Sequence, residues 1–385
     1  MTQRFDSKRI LVNTAVALYF IAMIVSTQMG GLLVSLLWYG SVTFGAVIAL
    51  YSCDLKIERY KIVFMALTVI TGVINMYFIG TTRIRDQVLI FFLMLLSMLF
   101  TSEYASENTF LFASVANILL VIFKFLTVGF HGQIYNASST NFISVYLLYP
   151  TVMYYIKAER NNSKIALYPA AVIWILSLLS RGRGGIIATS ILLLGIFIYV
   201  FKRTEDKWRI LFIYGVILVA GVLAYNLDVI INKINSSVIT EYFRHRGMKS
   251  IRTTIWSDYF DHTFASVKEI ILGTDISKTF AGMYKMGNPH NSFLNIHMHN
   301  GLIMLIAVIG LLIKRTVDSI RSRNLIFTVC MLSMMFRAFT DSVFWPAYGS
   351  AVLFAFLFWE TPAPKRRSAV KKSSCVQPDI STQNA

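Results

Sequence analysis

Apolar runs of helix-spanning length follow one another from end to end of this chain, separated by short polar gaps. A membrane-crossing helix needs about 20 mostly apolar residues, with about 17 as the lower limit. The pattern predicts spans at 10–26, 32–51, 62–79, 87–101, 109–127, 142–157, 165–180, 185–201, 209–227, 292–313, 325–340 and 345–360. Two of them, 87–101 and 142–157, are short and need their flanks to reach across. The expected organisation is nine spans over 1–227, a polar loop over 228–291, three spans over 292–360 and a tail over 361–385. That tail holds Pro, Lys and Ser without an apolar period, so it is expected to be disordered. The fold class is all-α and polytopic, with about twelve transmembrane helices.

Composition agrees: 56% of the 385 residues are apolar and 14% charged, against about a quarter charged in a soluble domain. Arg4, Lys8 and Arg9 precede the first span as they would in a signal peptide. Its apolar stretch is long for a signal core, however, and Gly30-Gly31 leads at once into another span, so an uncleaved anchor is expected. Charge then sets orientation. Of the 36 Lys and Arg residues, 22 fall in seven alternating segments on one side, near 4–9, 56–61, 102–108, 157–164, 202–209, 314–323 and 365–372. Six of these are basic, and the exception holds Glu103 and Glu107. The positive-inside rule makes this side cytoplasmic, with both termini expected there.

The net charge of +17 is thus mostly a topology signal and gives no basic face for nucleic acid. Cys53 and Cys375 fall in cytoplasmic segments and Cys330 in a span, which leaves neither a disulfide framework nor a Cys-x-x-Cys site.

The 228–291 loop is too long to be a mere connection. Within it Ile251, Ile255, Tyr259 and Phe260 recur at helical spacing, so Ser250–Lys268 is expected to form helix on the bilayer surface. Several arginines stand on the outer side against the positive-inside trend. Arg181 and Arg183 lie in Ser180-Arg-Gly-Arg-Gly-Gly185; Arg244, Arg246, Lys249 and Arg252 crowd the loop; Arg337 ends the eleventh span. Grouped guanidinium forks suit bidentate recognition of phosphate. Gly182, Gly184 and Gly185 would let backbone approach a ligand closely. The competing structural account has the loop arginines binding lipid head groups or pairing with Asp258 and Asp261. Lys124, near the outer end of the fifth span, either snorkels or lines a cavity.

Asn288-Pro289-His290-Asn291 leads straight into the tenth span. Its order predicts Asn288 as the cap, Pro289 at the first helical position and His290 in the first turn. There the helix dipole and the arginines favour a neutral imidazole, the form a general base requires. The plainer alternative is a histidine that only bonds a loop carbonyl. His297 and His299 point to nearly opposite helix faces and no acid joins them, so a metal site with His290 is not expected. Asp341 follows Arg337 by four residues, on one face. The pair either is structural, helping Arg337 tolerate the membrane edge, or orients His290 or an arginine.

These elements, over about 178–350, resemble the O-antigen polymerase and ligase superfamily of bacterial inner-membrane glycosyltransferases, a group with GT-C-like architecture. The resemblance rests on Arg183-Gly-Gly opening a span, Arg252 ahead of Trp256 in the long loop, His290-Asn291 with Gly301 ten residues on, and Asp341 shortly before Trp345. Met304 stands where ligases often carry a small or polar residue, and Arg181 competes with Arg183 for one family position. The resemblance implies an undecaprenyl-diphosphate-linked oligosaccharide donor and acceptor at the periplasmic face, and no cofactor or metal. It implies catalytic roles for His290, Arg183, Arg252 and Asp341, with Arg181, Arg244, Arg246, Asn291 and Arg337 holding substrate. A polymerase is the favoured expectation, partnered by membrane lipids and a polysaccharide chain-length regulator. A ligase onto lipid A-core is the near alternative, and a lipid-linked oligosaccharide flippase the alternative of another class.

Overall fold

The computed structural model describes residues 2–52, 57–129, 140–206, 251–275, 277 and 288–360. The predicted ninth span (209–227), Arg244, Arg246, Lys249, Cys53 and the tail lie outside the described residues. Among those described, all regular structure is helical: α1 (Thr2–Gln28), α2 (Leu32–Ser52), α3 (Arg59–Phe78), α4 (Ile84–Thr101), α5 (Glu107–Val128), α6 (Ile143–Arg160), α7 (Tyr168–Leu179), α8 (Arg183–Arg203), α9 (Ile251–Phe264), α10 (Val267–Leu272), α11 (Ser292–Arg321), α12 (Leu325–Thr340) and α13 (Ser350–Phe358).

Seven of them, α1 to α5, α8 and α11, are long and apolar enough to cross a membrane. Their outward faces carry bare hydrophobics, among them Leu33, Tyr77, Phe112, Phe123, Leu126 and Ile313. So much exposed apolar surface suits a lipid surround and not water. The chain is a polytopic helical membrane protein by these criteria.

Packing among the described helices forms a ring. α11 packs on α3, α3 on α4, α4 on α2, α2 on α1, α1 on α5, α5 on α7, α7 on α8, α8 on α12 and α12 back on α11. α6 and α13 lie inside this ring. Every residue from Ile143 to Ala158 is buried, as is all of α13. Pro150 within α6 has no N–H to give the Tyr146 carbonyl one turn back. Asn117 of α5 supplies the missing donor, its Nδ2 lying 2.8 Å from that oxygen.

The two short spans do borrow their flanks, as expected: α4 and α6 are each 18 residues long. The twelfth needs correction. The prediction was 345–360, but helix forms only over Ser350–Phe358, nine residues, or about 14 Å at 1.5 Å per residue. Trp345 adopts a left-handed backbone (φ 60°) and Pro346 follows it, so 341–349 cannot continue α12. α13 is therefore an enclosed core helix, too short to span by itself.

Cross-chain bonds separate the two ends of the bundle. At one end Lys8 donates to the Ser52 carbonyl, Lys157 to Ser102, Arg160 to Thr101 and Lys61 to Glu360. Arg315 there donates to Leu357 and the Tyr60 hydroxyl. Glu107, which broke the basic pattern in sequence, accepts from Asn161 and Ser163 at this same end. The opposite end carries the arginine–histidine cluster.

α11 is broken at Gly301 (φ 73°, ψ −176°). The break admits backbone from the end of α10: a β-carbon on Gly301 would lie 2.2 Å from the Ile271 carbonyl oxygen. Asn75 clamps this crossing, donating to the Leu272 and Met298 carbonyls at 2.6 and 3.0 Å. Gly301→Ala combines a backbone clash with a left-handed φ, which alone costs about 1–3 kcal/mol. Its melting temperature in detergent is expected to fall well below wild type, and an unchanged value would contradict this geometry.

Candidate functional site

Asp341 caps the C-terminus of α12 and is the hub of the charged end. Its Oδ2 accepts from Arg252 Nη2 and Arg337 Nη2, both at 3.2 Å. Its Oδ1 faces His290 Nδ1 at 3.3 Å and accepts from the Ser342 backbone N–H at 2.9 Å. Three segments distant in sequence are thus tied to one carboxylate: α9, the turn before α11, and the end of α12. Burial by itself would raise the Asp341 carboxyl. The His290 hydrogen bond and the Arg337 and Arg252 charges outweigh it and hold the group below its ordinary value, at about 2.

An ionised carboxylate only accepts, so the hydrogen on this side of the ring must belong to His290 Nδ1. In the neutral imidazole Nε2 then keeps its lone pair. The His290 side chain is 31% exposed, so the ring is not sealed inside the fold. His297 differs: its Nε2 donates to the Ile270 carbonyl at 2.8 Å, and its Nδ1 accepts from the Tyr259 hydroxyl at 2.7 Å. Both of its nitrogens are occupied by the fold. No three His, Cys, Asp or Glu side chains converge as a metal-binding set among the described residues.

His290 is not in the first turn of α11, which corrects the sequence expectation. The cap is Asn291, whose Oδ1 accepts from Phe293 and Leu294 N–H. Asn288 plays another part: its Oδ1 accepts from His290 N–H at 2.9 Å and from the Ser342 hydroxyl at 2.8 Å. This holds His290 in a left-handed conformation (φ 51°), which costs about 1–3 kcal/mol and persists only when its surroundings impose it. Arg181 (φ 58°) and Trp345 (φ 60°) are strained in the same sense nearby in the fold. The expected place in the first helical turn gives way to a turn latched by Asn288, with Asp341 as the partner of the ring.

α9 forms over Ile251–Phe264, with Ile255 and Tyr259 buried and Phe260 and Phe264 outward. Trp256, one turn after Arg252, donates to the Pro289 carbonyl at 2.9 Å and packs against Phe339 at 5.4 Å between ring centroids. It fastens α9 to both the His290 turn and α12. Trp345 plays a similar part from the other side. Its indole N–H donates to Asn300 Oδ1 at 2.8 Å, and its carbonyl accepts from Asn295.

Three substrate-contact expectations change. Asn291 commits its side-chain oxygen to the helix cap. Arg337 is 1% exposed; it donates to Asp341, the Asn141 carbonyl and the Thr340 hydroxyl, and so acts as an internal strut. Gly182, Gly184 and Gly185 do not line a ligand cradle. A β-carbon would clash with Thr340 at Gly184 and with Ser144 at Gly185 and be tight against Asn141 at Gly182, so these glycines let α8 lie close on α6 and α12. Arg183 opens α8 with its side chain exposed, at the same end as Asp341 but not among its hydrogen-bonding partners. Arg252 is 28% exposed. Among the described residues, Arg183 and Arg252 are the most open cations of the expected set.

Sequence reasoning missed Ser342, Asn288 as a latch, and Asn141 as the carbonyl under Arg337. Asn141 is 196 positions from Arg337 and carries no pattern that would mark it. No family model, curated protein or solved structure matches this chain.

Proposed function

We propose that this chain is a polysaccharide polymerase of the bacterial inner membrane, joining undecaprenyl-diphosphate-linked repeat units at the periplasmic face by metal-independent, inverting glycosyl transfer. The observation that carries this reading is the His290–Asp341–Arg252 cluster, which sets an oriented imidazole beside a guanidinium at one end of the bundle. His290 Nε2 takes the proton from the acceptor sugar hydroxyl, and the freed oxygen attacks the donor's anomeric carbon. The bond from that carbon to the diphosphate breaks, and the electron pair leaves with undecaprenyl diphosphate. Arg252 and Arg183 neutralise the charge that builds on the leaving group. Asp341 fixes the imidazole tautomer and stabilises the imidazolium as it forms, the role a buried carboxylate plays in hydrolase triads. Arg337 keeps Asp341 in place from beneath.

Lipopolysaccharide ladders test this. Deleting the gene is expected to leave core plus one repeat. Bare core together with lipid-linked polymer would indicate a ligase acting on the same donor, and an unchanged ladder would remove both. Arg183→Lys is expected to lower chain extension by roughly ten- to a hundredfold, since a point charge replaces a bidentate fork. Full activity in that variant with loss in Arg181→Lys would transfer the role to Arg181.

A further inference from the structure

A cavity of about 490 Å³ opens at the charged end of the bundle. This is within the range of about 300–1,000 Å³ typical of small-molecule sites. One of its walls is Ser342, the residue that donates its backbone N–H to Asp341 and its hydroxyl to Asn288. The cavity therefore adjoins the residues that hold His290.

Its lining mixes aromatic rings with aliphatic side chains such as Met29, Val34 and Leu89, and with two charged groups. Trp38 and Tyr348 meet edge to face, 4.5 Å between ring centroids, and Tyr39 and Tyr146 add further ring faces. Arg85 and Asp86, 3.5 Å apart, bring a guanidinium and a carboxylate to the same space. A sugar ring presents apolar C–H faces to aromatic rings and hydroxyls to a carboxylate and a guanidinium, so it matches both halves of this lining.

We propose that this cavity is the acceptor-glycan subsite: it seats a sugar of the incoming repeat unit against Trp38, Tyr39 and Tyr348, with its hydroxyls bonded to Asp86 and Arg85. The assignment of the glycan as acceptor rests on the glycosyl-transfer reading above. The α1–α2 hairpin, which supplies Trp38 and Tyr39, then selects which glycan is extended, while the Asp341 cluster performs the transfer.

Binding needs no turnover, so it separates this inference from the transferase reading. The probe is oligosaccharide fragments cleaved from the host's own surface polysaccharide, titrated against purified full-length protein in detergent with tryptophan fluorescence as readout. Wild type and His290→Ala are expected to bind them alike. Tyr39→Ala and Asp86→Asn are each expected to weaken binding about tenfold. Tyr39 is 37% exposed, so its truncation leaves the core intact. Equal binding by all four proteins, or no binding by any, would overturn the cavity assignment whatever the ladders show. A transferase failure would appear instead in the ladders, with binding preserved.

Discussion

Asp341→Ala is expected to lose both fold stability and activity. The carboxylate is 3% exposed and the Arg337 side chain beneath it 2%. Removing one partner of a buried pair strands the other charge away from water, at a cost of about 3–5 kcal/mol. The variant should melt markedly earlier in detergent by scanning fluorimetry, and a melting point equal to wild type would refute the hub role. Asp341→Asn gives a finer test, since it keeps the shape and one acceptor oxygen but removes the charge. It is expected to fold better than the alanine variant yet remain far less active, because the imidazole loses the anion that fixes its tautomer. The pH dependence has a definite sign. The folded carboxyl titrates below its ordinary value, near 2 instead of 3.8. Its contribution is therefore complete above the unfolded value and is lost as pH falls through the folded one, so it is undiminished from about pH 5 upward.

His290→Ala is expected to abolish chain extension while leaving the protein in the membrane at wild-type level. A positioned general base contributes about 10²–10⁴ in rate, enough to empty the upper ladder. Stability should change little. The side chain is only part-buried, and the strained turn is held through the His290 backbone N–H on Asn288. The contrast is His297→Ala, which removes a side chain wedged between Tyr259 and the Ile270 carbonyl. That change is expected to weaken the fold and to affect activity only through it. Normal ladders from His290→Ala would take this residue out of the mechanism.

Much of the architecture was legible from hydropathy, because a lipid-facing helix must announce itself as a long apolar run. Eleven of the twelve predicted spans contain a described helix, and the ninth lies outside the described residues. The failures have local causes. Span twelve was read through Trp345-Pro346, where a mostly apolar run contains a left-handed residue and a proline. The start of α11 was read from the first Asn of Asn288-Pro289-His290-Asn291, and the second is the cap. Hydropathy cannot choose between two capping residues three apart. Three-dimensional proximity to the two N–H groups decides it.

The site was legible as a set of residues sharing one end of the bundle, since charges placed against a topological trend stand out. Their division of labour was not. Arg252 and Arg337 look equivalent in sequence, yet one side chain is 28% exposed and the other 2%. The first can meet a ligand, and the second braces the carboxylate. The glycines beside Arg183 were misassigned for a related reason. A small residue serves close approach to a helix as well as to a ligand, and Asn141, Ser144 and Thr340 come from distant segments. The aromatic cavity left no sequence signal, because it is built from α1, α2, α4, α6 and the 341–349 connection together.

The central claim is that the Asp341 cluster drives glycosyl transfer from a lipid diphosphate. It is tested most directly by reconstituting purified protein in lipid nanodiscs with an undecaprenyl-diphosphate-linked repeat unit. Wild type is predicted to yield glycan of two or more repeats together with free undecaprenyl diphosphate, and His290→Ala to yield neither. Equal product from both proteins, or intact repeat units carried across sealed vesicles without any glycosidic bond formed, would contradict the account.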